Sequence, residues 1–172
     1  WASSCSSTTR RSSLVRARTT SPAFSSRSTS RVTSGTRATS RTPISCVGTA
    51  AAPIRFLGEQ PVRGYWRGLQ FWTSSPVNEL TWVEVAYGGG SGGTSAADVY
   101  LIGGARLKLT HSTLHQSAGY GLSVSSDVQL PGFVSNTLRD NAAAGLRIPD
   151  QLIGGLDLGS DYTTGNGLAY ID

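Results

Sequence analysis

The chain repeats itself, and that repeat limits its architecture more than any other feature. Residues 112 to 124, STLHQSAGYGLSV, align with residues 136 to 148, NTLRDNAAAGLRI, at an offset of 24. Thr113 falls on Thr137, Leu114 on Leu138, Ala118 on Ala142, Gly121 on Gly145, Leu122 on Leu146 and Val124 on Ile148. The apolar and glycine positions persist while the polar ones change. LTWVEVAYG (80 to 88) superposes on LTHSTLHQS (109 to 117) at an offset of 29, and that stretch on FVSNTLRDN (133 to 141) at 24. A second register joins GLQFW (68 to 72), DVYLI (98 to 102), GLSVS (121 to 125) and GLRIP (145 to 149), at offsets of 30, 23 and 24. A sandwich of short strands has no reason to keep such spacing, whereas a solenoid does.

Within each repeat the apolar residues alternate with period two, which is strand patterning, and Gly, Asn, Ser and Pro separate the runs. Alternation places four stacks inward: Leu69, Val99, Leu122 and Leu146; Phe71, Leu101, Val124 and Ile148; Leu80, Leu109 and Phe133; Val85, Leu114 and Leu138. Coils whose strands lie about 4.8 Å above their equivalents make a parallel β-helix, with like residues on like. Inward positions form a continuous core and must stay apolar; outward ones such as Ser123 and Arg147 are expected to be free to vary. The longer first repeat holds GGGSGG (88 to 93), of loop composition. Gly68, Gly121 and Gly145 stand where the chain turns into a strand.

Residues 1 to 46 are different in kind. They hold eight arginines and no Lys, Asp or Glu, together with 14 Ser and 9 Thr, so the overall charge of +5 divides into +8 here and −3 in the remainder. Their few apolar residues follow no period, and such a composition cannot bury enough surface to offset its ordering entropy. Three readings stay open for this low-complexity segment: a disordered basic linker, a glycosylated or wall-crossing stalk, and a mistranslated stretch read one frame over. The domain division is therefore 1–46 and 47–172. With no methionine and no leader visible, the expectation is an N-terminally truncated fragment. Its first coil, around Ile54 and Phe56, would leave an uncapped strand edge and favour self-association.

The stretches GYWRGLQFW, NELTWVEVAYGG, ARLKLTHSTLHQSAGYGLSV and SNTLRDNAAAGLRI resemble the right-handed parallel β-helix repeat proteins of bacterial surfaces, a branch of the pectate-lyase-like superfamily. The resemblance covers about residues 47 to 172, and the tail DLGSDYTTGNGLAYID is similar to the closing segment of such domains. It implies an all-β, right-handed parallel β-helix and an extracellular or cell-surface location. The lyase and hydrolase motifs of that superfamily do not map onto this chain residue by residue.

Two function classes follow. One is a non-catalytic surface or secreted β-helix module that binds polysaccharide or another surface polymer; the other is a fragment of a polysaccharide lyase or glycoside hydrolase whose catalytic coils are missing. Paired carboxylates are needed for glycoside cleavage, yet Glu84 stacks over Thr113 and Thr137 with no acidic partner in its column. His111 takes the turn slot of Trp82 and Ser135, and His115 the outward slot of Ala86 and Arg139; four apart across a bend, the two need not converge on a metal. No catalytic residue, metal or cofactor is assigned. The basic excess lies in a segment with only Trp1 and Phe24 as aromatics, so no nucleic-acid partner is expected. No apolar run reaches the ~18 residues of a membrane span. Cys5 and Cys46 make neither a metal spacing nor a disulfide framework. For a ligand, the best-furnished outward column is Gln70, Tyr100, Ser123 and Arg147, flanked by Trp72 and, on the turn side, by Arg67 and Tyr120. Aromatic faces suit sugar rings, and Arg and Gln suit hydroxyls or carboxylates.

Overall fold

A computed structural model describes residues 4–7, 29–32, 38–40, 44–72 and 77–168. The four coils it contains each carry three strands. The first is β4 (Ile44–Val47), β5 (Ile54–Gly58) and β6 (Leu69–Phe71), and the second β7 (Asn78–Thr81), β8 (Val83–Ala86) and β9 (Ala97–Leu101). The third is β10 (Arg106–Thr110), β11 (Thr113–His115) and β12 (Tyr120–Val124), and the fourth β13 (Gln129–Val134), β14 (Thr137–Arg139) and β15 (Leu146–Arg147). Equivalent strands pair in parallel, giving three sheets: β4-β7-β10-β13, β5-β8-β11-β14 and β6-β9-β12-β15. This is a parallel β-helix.

The pairing reproduces the sequence offsets. Leu80 faces Leu109, which faces Phe133; Val85, Leu114 and Leu138 line up; Leu69, Val99, Leu122 and Leu146 do the same. All four predicted inward stacks are buried, and they merge into one core. Trp66 fills the space beside them, fully buried, with its indole N–H donating to Ala86 O at 2.8 Å.

The corners explain why the repeat keeps its polar turn residues short. Between the first and second sheets a single residue turns the chain with positive φ: Trp82 (52°), His111 (51°) and Ser135 (55°) in successive coils. Tyr87 (66°), Gln116 (60°) and Asp140 (55°) do the same after the second sheet. Beside these corners, buried side chains satisfy backbone groups that the bend removes from the ladders. Asn136 accepts from Ser112 N–H at 3.1 Å and donates to Leu109 O at 2.9 Å. Asn141 accepts from Ser117 N–H at 3.0 Å, and Asn166 in turn accepts from Asn141 N–H at 2.8 Å. The tail thus continues the stack: Leu138 N–H bonds Asp161 O at 2.7 Å, and Phe133 stacks on Tyr162 with centroids 6.0 Å apart. The short helix α1 (Asp150–Ile153) and the turn after it bring Leu152 and Leu156 against the core.

Within the low-complexity segment, three further strands are described: β1 (Ser4–Ser7), β2 (Thr29–Val32) and β3 (Ala38–Ser40). β1 runs antiparallel to β4, while β2 and β3 pair in parallel with β5 and β6. The rest of that segment, and with it the expectation of disorder or mistranslation, lies outside the described residues. The strand edge expected to drive self-association is covered within the chain, since β2 pairs with β5 and both Ile54 and Phe56 are buried. Cys46 heads the inward column above Leu80, is disulfide-bonded, and has Cys5 of β1 as its antiparallel Cα partner.

One expectation fails at Ser123. Its side chain leaves the outer face of the third sheet, as alternation requires, but it is fully buried rather than free to vary. The glycine-rich segment between β8 and β9 folds back over it, and Ser123 Oγ donates to Thr94 O at 2.6 Å. The same segment is pinned by Asp98, whose Oδ1 accepts from Gly88 N–H at 2.8 Å, and by Gly90 N–H on Trp66 O at 2.9 Å. Asp98 occupies the slot that Gly68, Gly121 and Gly145 fill in the other coils. At Gly68 a Cβ would come within 2.2 Å of Ala97 O, so glycine is required there by the close backbone approach as well as by its φ of 87°.

Candidate functional site

The outer face of the second sheet carries the most concentrated chemistry among the described residues. Strand pairing sets two adjacent columns on it. Arg55, Glu84, Thr113 and Thr137 form one, and Leu57, Ala86, His115 and Arg139 the other. The polar contacts run both within a column and diagonally between columns. Glu84 Oε2 lies 2.6 Å from Arg55 Nε, directly above it, and Glu84 Oε1 lies 3.2 Å from His115 Nε2, one coil down and two residues along. Diagonal neighbours on a sheet are within reach of such long side chains. Arg139, in the next coil, is paired with Asp140.

The corner residues build a wall beside these columns. Trp82 and His111, both with positive φ, project to the same side and stack with ring centroids 4.6 Å apart and planes 9° from parallel. Beside the wall and the columns lies a groove of about 380 Å³, whose lining includes Arg55, Trp82, Glu84, His111, His115 and Arg139. Tyr87 meets His115 edge-on at 6.2 Å and helps fix that ring.

Glu84 is the one carboxylate among the described lining residues. Its hydrogen bond with His115, aided by the positive charges of Arg55 and Arg139, holds it below the usual carboxylate range against the opposing effect of partial burial. It is thus an anion and not a proton donor at neutral pH, and among the described residues no second acid lines the groove. The described lining residues supply one carboxylate, whereas glycoside cleavage by that route uses a pair with one of them protonated. The arrangement can instead offer guanidinium and imidazole donors, a carboxylate acceptor and an aromatic face at once. Among the described residues no three His, Cys, Asp or Glu side chains come together as a metal site.

The column picked out from the sequence also exists as a column: Gln70, Tyr100, Ser123 and Arg147 are successive Cα partners on the third sheet. Its furnishing is different from what alternation suggests. Gln70 and Ser123 are buried, Tyr100, Arg147, Trp72 and Tyr120 are half-buried, and only Arg67 is exposed. The groove on the second sheet was missed because it is assembled across columns. Arg55 also sits in a coil whose sequence, IRFLG, shows little likeness to VEVA, TLH and TLR below it.

No family model, no curated protein and no solved structure matches this chain. No helix among the described residues is long and apolar enough to cross a membrane.

Proposed function

We propose that this chain is a non-catalytic β-helix module that binds polysaccharide along the outer face of its second sheet, outside the cell or at its surface. The observation that carries the reading is the groove itself, in which the Trp82–His111 stack faces the row of Arg55, Glu84, His115 and Arg139. An extended glycan has apolar ring faces and hydroxyl edges, and this pairing of an aromatic wall with a polar row matches both. The face also runs along the coil axis, so successive sugar units can meet successive coils. The disulfide at Cys46 supports an oxidising compartment, where such bonds persist.

A binding screen against immobilised polysaccharides tests this. Wild type should bind at least one of them, and Trp82→Ala combined with Arg139→Ala should weaken that binding by tenfold or more, about 1.4 kcal/mol, while far-UV circular dichroism stays unchanged. Equal binding by the variant would remove the site from the second sheet. Release of new reducing or unsaturated ends during incubation would replace the module by the lyase or hydrolase reading.

A further inference from the structure

Resting on the groove reading, we infer that the disulfide at Cys46 is a redox clasp on the groove: closed, it fixes the lip that carries Ala50 and Pro53; opened, it lets that lip fray and weakens polysaccharide capture. Cys46 lies on β4, fully buried at the head of the column above Leu80. The chain holds two cysteines, and Cys5 of β1 is the Cα partner of Cys46 across the antiparallel pair, so the bond that Cys46 makes is closed by Cys5. One residue past Cys46 the strand ends, and residues 48–53 turn the chain into β5. Ala50 and Pro53 of that turn line the groove, and Arg55 follows them on β5. The turn is tied to the coil below by Gly48 N–H on Thr81 O at 2.8 Å and by Ile54 N–H on Trp82 O at 3.0 Å. Trp82 is the same corner residue whose ring forms the groove's wall.

On the side away from β7, β4 is paired with β1. β1 reads SCSS, with no apolar residue to bury apart from its cysteine, and residues 8–28 separate it from β2. So short and polar a strand does not outweigh the closure entropy of returning to β4, whereas a covalent link removes that cost from folding. A dithiol reductant breaks the sulfur–sulfur bond. The dithiol supplies two electrons and two protons, is itself oxidised to a cyclic disulfide, and leaves thiols on Cys5 and Cys46. β1 then departs, and β4 becomes an edge strand paired with β7 alone among the described residues, with the lip at its end. In a reducing compartment the lip is therefore loose and capture weak; oxidation completes the groove.

The test pairs two measurements on the whole chain with and without dithiothreitol: hydrogen exchange at the amides of Gly48 and Ile54, and binding to an immobilised polysaccharide that the oxidised chain takes up. Tryptic mapping of the unreduced chain should first yield residues 1–10 joined to residues 42–55. Reduction should speed exchange at both amides by about tenfold or more while the amides of Leu122 and Leu138, bonded to Gly145 O and Asp161 O, keep their rates. Binding should weaken by about threefold or more. Cys5→Ser leaves Cys46 in its column and should show both effects without reductant, with no further change when it is added. Absence of the joined peptides, or unchanged exchange at Gly48 and Ile54 on reduction, overturns the clasp while the groove reading stands. Faster exchange with equal binding in the two redox states overturns the clasp's hold on the groove. If neither redox form binds any polysaccharide, the groove reading fails, and the control of capture inferred from it fails with it.

Discussion

Leu122→Asp is expected to abolish folding of the β-helix. Leu122 is fully buried between Val99 above and Leu146 below, and a carboxylate there has neither a cation nor a donor within the apolar stack. Burying an unpaired charge and deleting a core side chain together cost on the order of 5 kcal/mol or more, comparable with the whole stability of a domain of this size. Thermal unfolding followed at far-UV wavelengths checks it, with a cooperative melt for wild type and none for the variant. Ser123→Asp, one residue along on the other face of the sheet, is also expected to be damaging, because Thr94 O leaves no room and no donor for the new carboxylate. A wild-type melt for Leu122→Asp would contradict the coil stack.

The second large effect is a loss of stability with rising pH that Asp98→Asn removes. Asp98 is fully buried, Oδ1 accepts from Gly88 N–H, and Oδ2 has no hydrogen-bond partner. Burial pushes its carboxyl well above the usual range, with the Gly88 N–H opposing only in part. The folded state therefore holds a proton that the unfolded chain has already released. For a group raised on folding, stability is fully present below the unfolded-state pKa and is lost as pH climbs through the folded one, at about 1.4 kcal/mol for each unit between the two. Glu79, Glu84, Asp127, Asp157 and Asp161 are all displaced downward. Their contributions have the opposite sign and disappear on acidification, below the window in which Asp98 acts. Melting temperatures from about pH 5 upward should fall for wild type and fall less for Asp98→Asn, the two curves separating toward alkaline pH. Parallel curves would mean that Asp98 is ionised in the fold.

Much of this architecture could be read directly from the residues, for a physical reason. A column such as Val85, Leu114 and Leu138 has to remain apolar in every coil, so offsets of 29 and 24 survive in the sequence and match the strand register. Alternation likewise indicates which face of the third sheet Ser123 occupies. It carries no information on what lies over that face, and the glycine-rich segment that buries Ser123 is far from it in sequence. The groove is harder to see for a related reason. Glu84 meets Arg55 within its own column but His115 only across a diagonal, and Trp82 meets His111 through corner residues whose φ places both rings on one side. Comparing residues slot by slot finds columns; it does not find sites made from neighbouring ones.

The account turns on that face of the second sheet being where a glycan lies. Backbone amide shifts of isotopically labelled protein, followed during titration with a soluble oligosaccharide cut from a polysaccharide that the chain binds, test it most directly. The predicted result is a contiguous set of perturbations at Arg55, Trp82, Glu84, His111, His115 and Arg139, with Tyr100 and Arg147 on the third sheet unmoved. Perturbations centred on Tyr100 and Arg147, with the second sheet silent, would contradict it.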